Sequence, residues 1–177
     1  PVGLPPLLWL ALVPLWGITA APISPWSGAL WGGLAVLISH RWLLALHPLD
    51  WVGVPLPLSL PLCGLLLGIC AAAGGLLVAL WVLLARRLDA RRLSSAVLLC
   101  GGWGLGEVLL AKGPLFWLGL GASALPTDRA LAGLAALGGS GLVAALQLGI
   151  GWCLWRWWLG PSRRRWALVF ALVLLLA

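Results

Sequence analysis

Apolar residues in this chain come in long runs separated by short polar stretches, without the period-two alternation of a half-buried strand. Six runs stand out, at residues 4–21, 28–46, 58–85, 93–111, 130–158 and 166–177. A helix needs about 20 apolar residues to cross the hydrocarbon core of a bilayer. The pattern therefore predicts an all-α, polytopic transmembrane helix bundle of about six spans, the sixth truncated at Ala177. Pro14 interrupts the first run and predicts a kink there. That run lacks a basic leading region, so it does not read as a cleavable signal peptide.

The polar stretches fix an expected orientation. Arg86, Arg87, Arg91 and Arg92 form one basic cluster and Arg163, Arg164 and Arg165 another, with two spans between them. An even number of crossings puts both clusters on one face, which the positive-inside rule makes cytoplasmic. Arg156 can snorkel to the same face. The last run then travels outward and leaves Ala177 on the periplasmic side. The segment 112–129 is long for a loop yet rich in Leu, Trp and Phe, and it is too short and glycine-rich to span. It reads as re-entrant or interfacial, with Phe116 and Trp117 at headgroup depth.

Composition agrees with a lipid solvent: 63% of residues are hydrophobic and 8% charged, where a soluble domain carries about 25% charged residues. The net charge of +7 would point to nucleic acid in a soluble protein, but its clustering between apolar runs makes it a topology signal, and no nucleic-acid partner is expected. Cys63, Cys70, Cys100 and Cys153 all fall inside apolar runs and read as small buried hydrophobes. Small residues at four-residue spacing recur, as Gly28 with Gly32, Gly64 with Gly68, Gly102 with Gly106, and Gly141 with Ala145 and Gly149. Such spacing lets helix backbones approach closely.

Few residues could carry chemistry. Glu107 is the only glutamate and lies inside an apolar run, where a charged side chain costs roughly 2.5–3.5 kcal/mol on insertion scales unless it faces protein or a polar cavity. It sits one helical turn from Trp103 and is flanked by Gly102, Gly104 and Gly106. Three readings are open: an acceptor of hydrogen bonds from a Trp indole or from the irregular segment that follows, a residue lining a lipid or substrate cavity, or a proton carrier. His40, Arg41, His47 and Asp50 read as interfacial polar residues among Trp42 and Trp51, with a proton relay through a His and Asp pair as the alternative. Gln147 reads as an interhelical hydrogen-bonding residue. The sequence has no phosphate loop, no metal-ligand spacing, no Gly-x-Ser-x-Gly elbow and no constellation of Cys, His and carboxylate. A small transporter or channel subunit using Glu107, with His40 or Arg41, and a purely structural membrane protein are both compatible with this inventory.

The order of motifs narrows the field. Gly28-Ala29-Leu30-Trp31-Gly32 opens one run; Trp103-Gly104-Leu105-Gly106-Glu107 is followed by Phe116-Trp117-Leu118-Gly119-Leu120-Gly121; Leu134-Ala135-Ala136-Leu137-Gly138-Gly139 leads into another. This order resembles the membrane region of the apolipoprotein N-acyltransferases, most closely their cyanobacterial branch. The resemblance implies a helical bundle carrying a nitrilase-like domain on the periplasmic side. It implies transfer of an acyl chain from a phospholipid acyl donor to a diacylated lipoprotein acceptor through a thioester on a catalytic Cys, with no cofactor. None of the catalytic residues of that domain falls in this chain. The resemblance further implies that the family's first helix precedes Pro1 and that Ala177 closes the seventh, next to the catalytic domain. Glu107 matches the family's membrane glutamate, and with Trp103, Phe116 and Trp117 it marks the expected lipid or substrate access region. The family often places an Arg soon after that glutamate, whereas Leu109, Leu110 and Ala111 follow here and the first basic residue is Lys112.

Overall fold

A computed structural model describes residues 5–113, 119–124 and 129–159. These are helical apart from turns. α1 spans Pro5–Ala20, α2 Trp26–Ser39, α3 Leu56–Arg87, α4 Leu93–Leu110, α5 Arg129–Gly133 and α6 Ala135–Leu159. Helices α3, α4 and α6 are long and apolar enough to cross a membrane, and α1 and α2 are shorter apolar helices. Many large hydrophobics point away from the protein, including Leu30, Leu98, Leu105 and Trp158, each more than three-fifths exposed. Water would penalise such surfaces, whereas lipid tails solvate them at no cost. The sixth run, at 166–177, and Arg163, Arg164 and Arg165 lie outside the described residues.

The expected run 28–46 is two elements in the structure. α2 closes where the His40 amide donates to the Val36 carbonyl (2.8 Å), and residues Arg41–Leu46 continue as a 3-10 helix. The polar pair His40 and Arg41 marks the change. Similarly, 130–158 divides into α5 and α6, and α6 itself bends at Gly138 and Gly139. Gly139 sits at φ 68°, a left-handed conformation that glycine adopts without penalty.

The chain forms two compact units, Ile23–Leu83 and Pro1–Pro22 with Leu84–Ala177. In the first, α2 packs on α3 through small residues. A Cβ on Gly32 would run into Val78 and the Gly74 carbonyl, and one on Gly75 into the Ala29 carbonyl. Leu43, Leu67 and Cys70 make a buried cluster supported by Val36, Leu46 and Leu66. The buried Ser59 hydroxyl joins His47 Nδ1 (2.9 Å) and accepts from the Leu49 amide (2.8 Å). Asp50 instead accepts from the Trp51 amide at 2.9 Å, so His47 and Asp50 are not hydrogen-bonded to each other.

In the other unit α6 is the central element. Trp16 of α1 donates its indole N–H to the Leu148 carbonyl (3.0 Å) and stacks on Trp155, with ring centroids 6.3 Å apart. Trp152 donates to the Ala90 carbonyl at 2.8 Å, tying α6 to the turn between α3 and α4. These indoles satisfy carbonyls where no water is at hand, which is what buried tryptophans need. All four cysteines are free and buried, as expected of small hydrophobes.

Candidate functional site

The site forms where α4 crosses α6. Neither Gly104 nor Gly141 could carry a side chain there: a Cβ on either would overlap the other's carbonyl oxygen. Close approach of backbones brings the last turns of α4 against the start of the straight part of α6. The turn at Gly138 and Gly139 then presents the Ser140 carbonyl to Gly121, where again a Cβ would overlap it. Three glycines thus make room for a segment of irregular backbone between two helices.

Glu107 fills the polar requirement of that segment. It is 6% exposed. Its Oε1 accepts from the Trp103 indole (2.9 Å) and from the Leu120 amide (2.6 Å), and its Oε2 accepts from the Gly121 amide (3.2 Å). Trp103 reaches it because positions four apart share one face of a helix. The two amides belong to the backbone entering the 3-10 turn Gly121–Ala124. From α6, the fully buried Gln147 donates Nε2 to the Leu120 carbonyl at 2.8 Å. Both the N–H and the C=O of Leu120 are therefore held, one from each helix. Buried backbone groups carry a large penalty when unmatched, and these two polar side chains remove it.

Both sources of hydrogen bonds expected for Glu107, the indole and the irregular segment, are present. Among the described residues no cation pairs with Glu107; Arg92 pairs instead with Asp89, at 3.2 Å. Gln147 is hydrogen-bonded to the segment after α4. Its place in an apolar run predicts a hydrogen-bonding residue between helices; the partner seen here is the Leu120 carbonyl. Phe116 and Trp117 lie outside the described residues. No group of three or more His, Cys, Asp or Glu among the described residues could hold a metal ion.

Fold and site together define a helical membrane protein in which a buried acid anchors a non-helical segment between two long apolar helices. Over 161 residues the chain is 53% identical to an apolipoprotein N-acyltransferase of Prochlorococcus marinus (strain MIT 9313), a match covering 85% of this chain and 32% of that protein. Similar matches join it to the proteins of that name from Parasynechococcus marenigrum (strain WH8102), 48% identical over 87% of the chain, and Gloeobacter violaceus, 33% identical over 85%. The chain belongs to the apolipoprotein N-acyltransferase family, and it spans about a third of the length of the curated relatives it matches. No family model and no solved structure matches it.

Proposed function

We propose that this chain is the membrane portion of a lipoprotein N-acyltransferase of the bacterial inner membrane. In this reading the enzyme takes an acyl chain from a phospholipid and passes it, through a thioester, to the amino group of the N-terminal S-diacylglyceryl-cysteine of a lipoprotein. The carrying observation is the 53% identity over 85% of the chain. Thioester chemistry needs an activated thiolate, and Cys63, Cys70, Cys100 and Cys153 are buried thiols in apolar helices. In this reading the nucleophile belongs to the nitrilase-like part that the family resemblance implies, outside the third of the relatives' length that the match spans. The arginine clusters face the cytoplasm, and the catalytic part stands on the periplasmic side.

The role assigned to this membrane portion is scaffold and lipid access. Glu107, which also takes the Trp103 indole N–H, holds the Leu120 and Gly121 amides and so fixes the chain that follows Phe116 and Trp117, the residues this reading assigns to lipid access. With both Glu107 oxygens occupied by N–H donors, an ion path through this residue has less support than an anchoring role. The test is the double substitution Phe116→Ala with Trp117→Ala in the full-length parent enzyme. Acylated lipopeptide, measured by mass spectrometry, should fall further than the amount of enzyme in the membrane. Equal losses of both would reduce the segment to a structural element. A second check is the parent reading frame, which should continue into a nitrilase-like domain; an unrelated continuation would sink the enzymatic reading.

A further inference from the structure

The turn between α3 and α4 borders an open polar cavity of about 310 Å³, lined by Thr19, Ala20, Arg86, Asp89, Ala90 and Arg91. Two of its lining residues are held by hydrogen bonds. Trp152 holds the Ala90 carbonyl (2.8 Å) from α6, and the Thr19 hydroxyl is turned to the Trp16 carbonyl (2.6 Å) within α1. Arg86 is anchored across the cavity by one hydrogen bond, Nη2 to the Ile18 carbonyl at 3.1 Å. Its buried Nε has no hydrogen-bond partner among the described residues. Capping α1 accounts for Nη2. It does not account for the rest of the guanidinium fork, nor for Arg91, whose exposed side chain reaches the same cavity.

The one acid in the lining is committed to its own turn. Asp89 adopts φ 53°, and its carboxylate accepts from the Arg91 amide (3.3 Å) and from Arg92 Nε (3.2 Å). Residues 86–92 hold four arginines against this single aspartate. With Asp89 paired to Arg92, the two arginines of the lining, Arg86 and Arg91, outweigh the carbonyl ends of α1 and α3, which add about half a negative charge each. A cavity with two guanidinium groups and net positive charge suits an anion with several acceptor oxygens, because planar N–H forks match phosphate geometry.

We propose that the cavity between Thr19, Arg86 and Arg91 is a phosphate-binding site, occupied either by the phosphodiester of an anionic lipid headgroup or by free phosphate. This inference stands independently of the acyltransferase reading. The experiment uses the full chain in phosphatidylcholine nanodiscs with a minor share of phosphatidylglycerol, with bound lipid counted by native mass spectrometry. Parallel samples without phosphatidylglycerol receive inorganic phosphate, read as protection of residues 86–92 from hydrogen exchange. Retention or protection should fall about tenfold, the scale of one charge-assisted hydrogen bond, in Arg91→Gln, which leaves the Ile18 contact intact, and in Arg86→Gln. Arg87→Gln, outside the lining, should leave it unchanged. Loss with phosphatidylglycerol alone identifies the lipid as source, and loss with inorganic phosphate alone identifies the free anion; either supports the site. Equal effects of Arg87→Gln and Arg91→Gln would show diffuse surface attraction, and no retention of either probe would show no site; each overturns the proposal.

Discussion

Glu107→Gln is the sharpest perturbation of the α4 and α6 crossing, because it keeps shape and changes only hydrogen-bonding capacity. The carboxylate accepts three N–H groups, two on Oε1 and one on Oε2. A carboxamide has one acceptor oxygen. In its better orientation that oxygen keeps the Trp103 indole and the Leu120 amide, and the new NH2 group faces the Gly121 N–H, donor against donor, across 3.2 Å. Leaving one buried donor unmatched costs about 1–3 kcal/mol. If the loss is local, the segment opens roughly five- to a hundredfold more often, since 1.4 kcal/mol is a factor of ten. Hydrogen exchange at Leu120 and Gly121 reads this directly, because those two amides are the ones held. Glu107→Asp should behave worse than Gln, as a side chain one methylene shorter falls away from all three donors. If exchange at Leu120 and Gly121 stays within about twofold of wild type in Glu107→Gln, the carboxylate does not hold this segment and the argument for the anchor is wrong.

Two further substitutions test the packing. Gly104→Ala should destabilise the protein by about 1–3 kcal/mol through overlap with the Gly141 carbonyl, whereas Gly102→Ala and Gly106→Ala, which meet nothing within 4 Å, should be neutral or gain roughly 0.5–1 kcal/mol of helix propensity; thermal unfolding in detergent ranks the three, and a common effect would contradict the crossing. Ser59→Ala should cost about 1–3 kcal/mol because the Leu49 amide loses its acceptor, read as faster exchange at Leu49; unchanged exchange there would show the bond is not formed.

The sequence made helix type and approximate extent legible because nearly uniform apolarity over some 20 residues has one economical solution in lipid. α4, at Leu93–Leu110, falls almost on the expected run. What uniform apolarity cannot reveal is which face of a helix meets a neighbour. Gly102 and Gly106 have the spacing of a packing motif, yet the glycine that meets α6 is Gly104, on another face. Gly64, Gly68 and Gly149 likewise meet nothing within 4 Å, while Gly28 and Gly32 do pack on α3. Lipid imposes no polar pattern on the exposed face, so the usual amphipathic marker is missing. At the site, the bond from Trp103 to Glu107 follows from helical spacing alone. The bonds to Leu120 and Gly121 depend on where a loop returns, and sequence separation does not encode that.

The missing arginine after Glu107 has a physical answer in these contacts. An acid within an apolar helix must be compensated, but the compensation need not be a side-chain cation. Two amide N–H groups and an indole N–H supply partial positive charge at three points around the carboxylate. Such donors are part of the backbone and of a ring locked on the same helix, so no flexible partner has to be ordered. The choice also adds a constraint that an arginine would not: the acid is satisfied only while Leu120 and Gly121 remain between α4 and α6. Gln147 imposes the reciprocal condition from α6 by taking the Leu120 carbonyl. The peptide groups on both sides of Leu120 therefore report on the crossing at Gly104 and Gly141, and the segment after α4 is positioned by the same packing that joins the two helices.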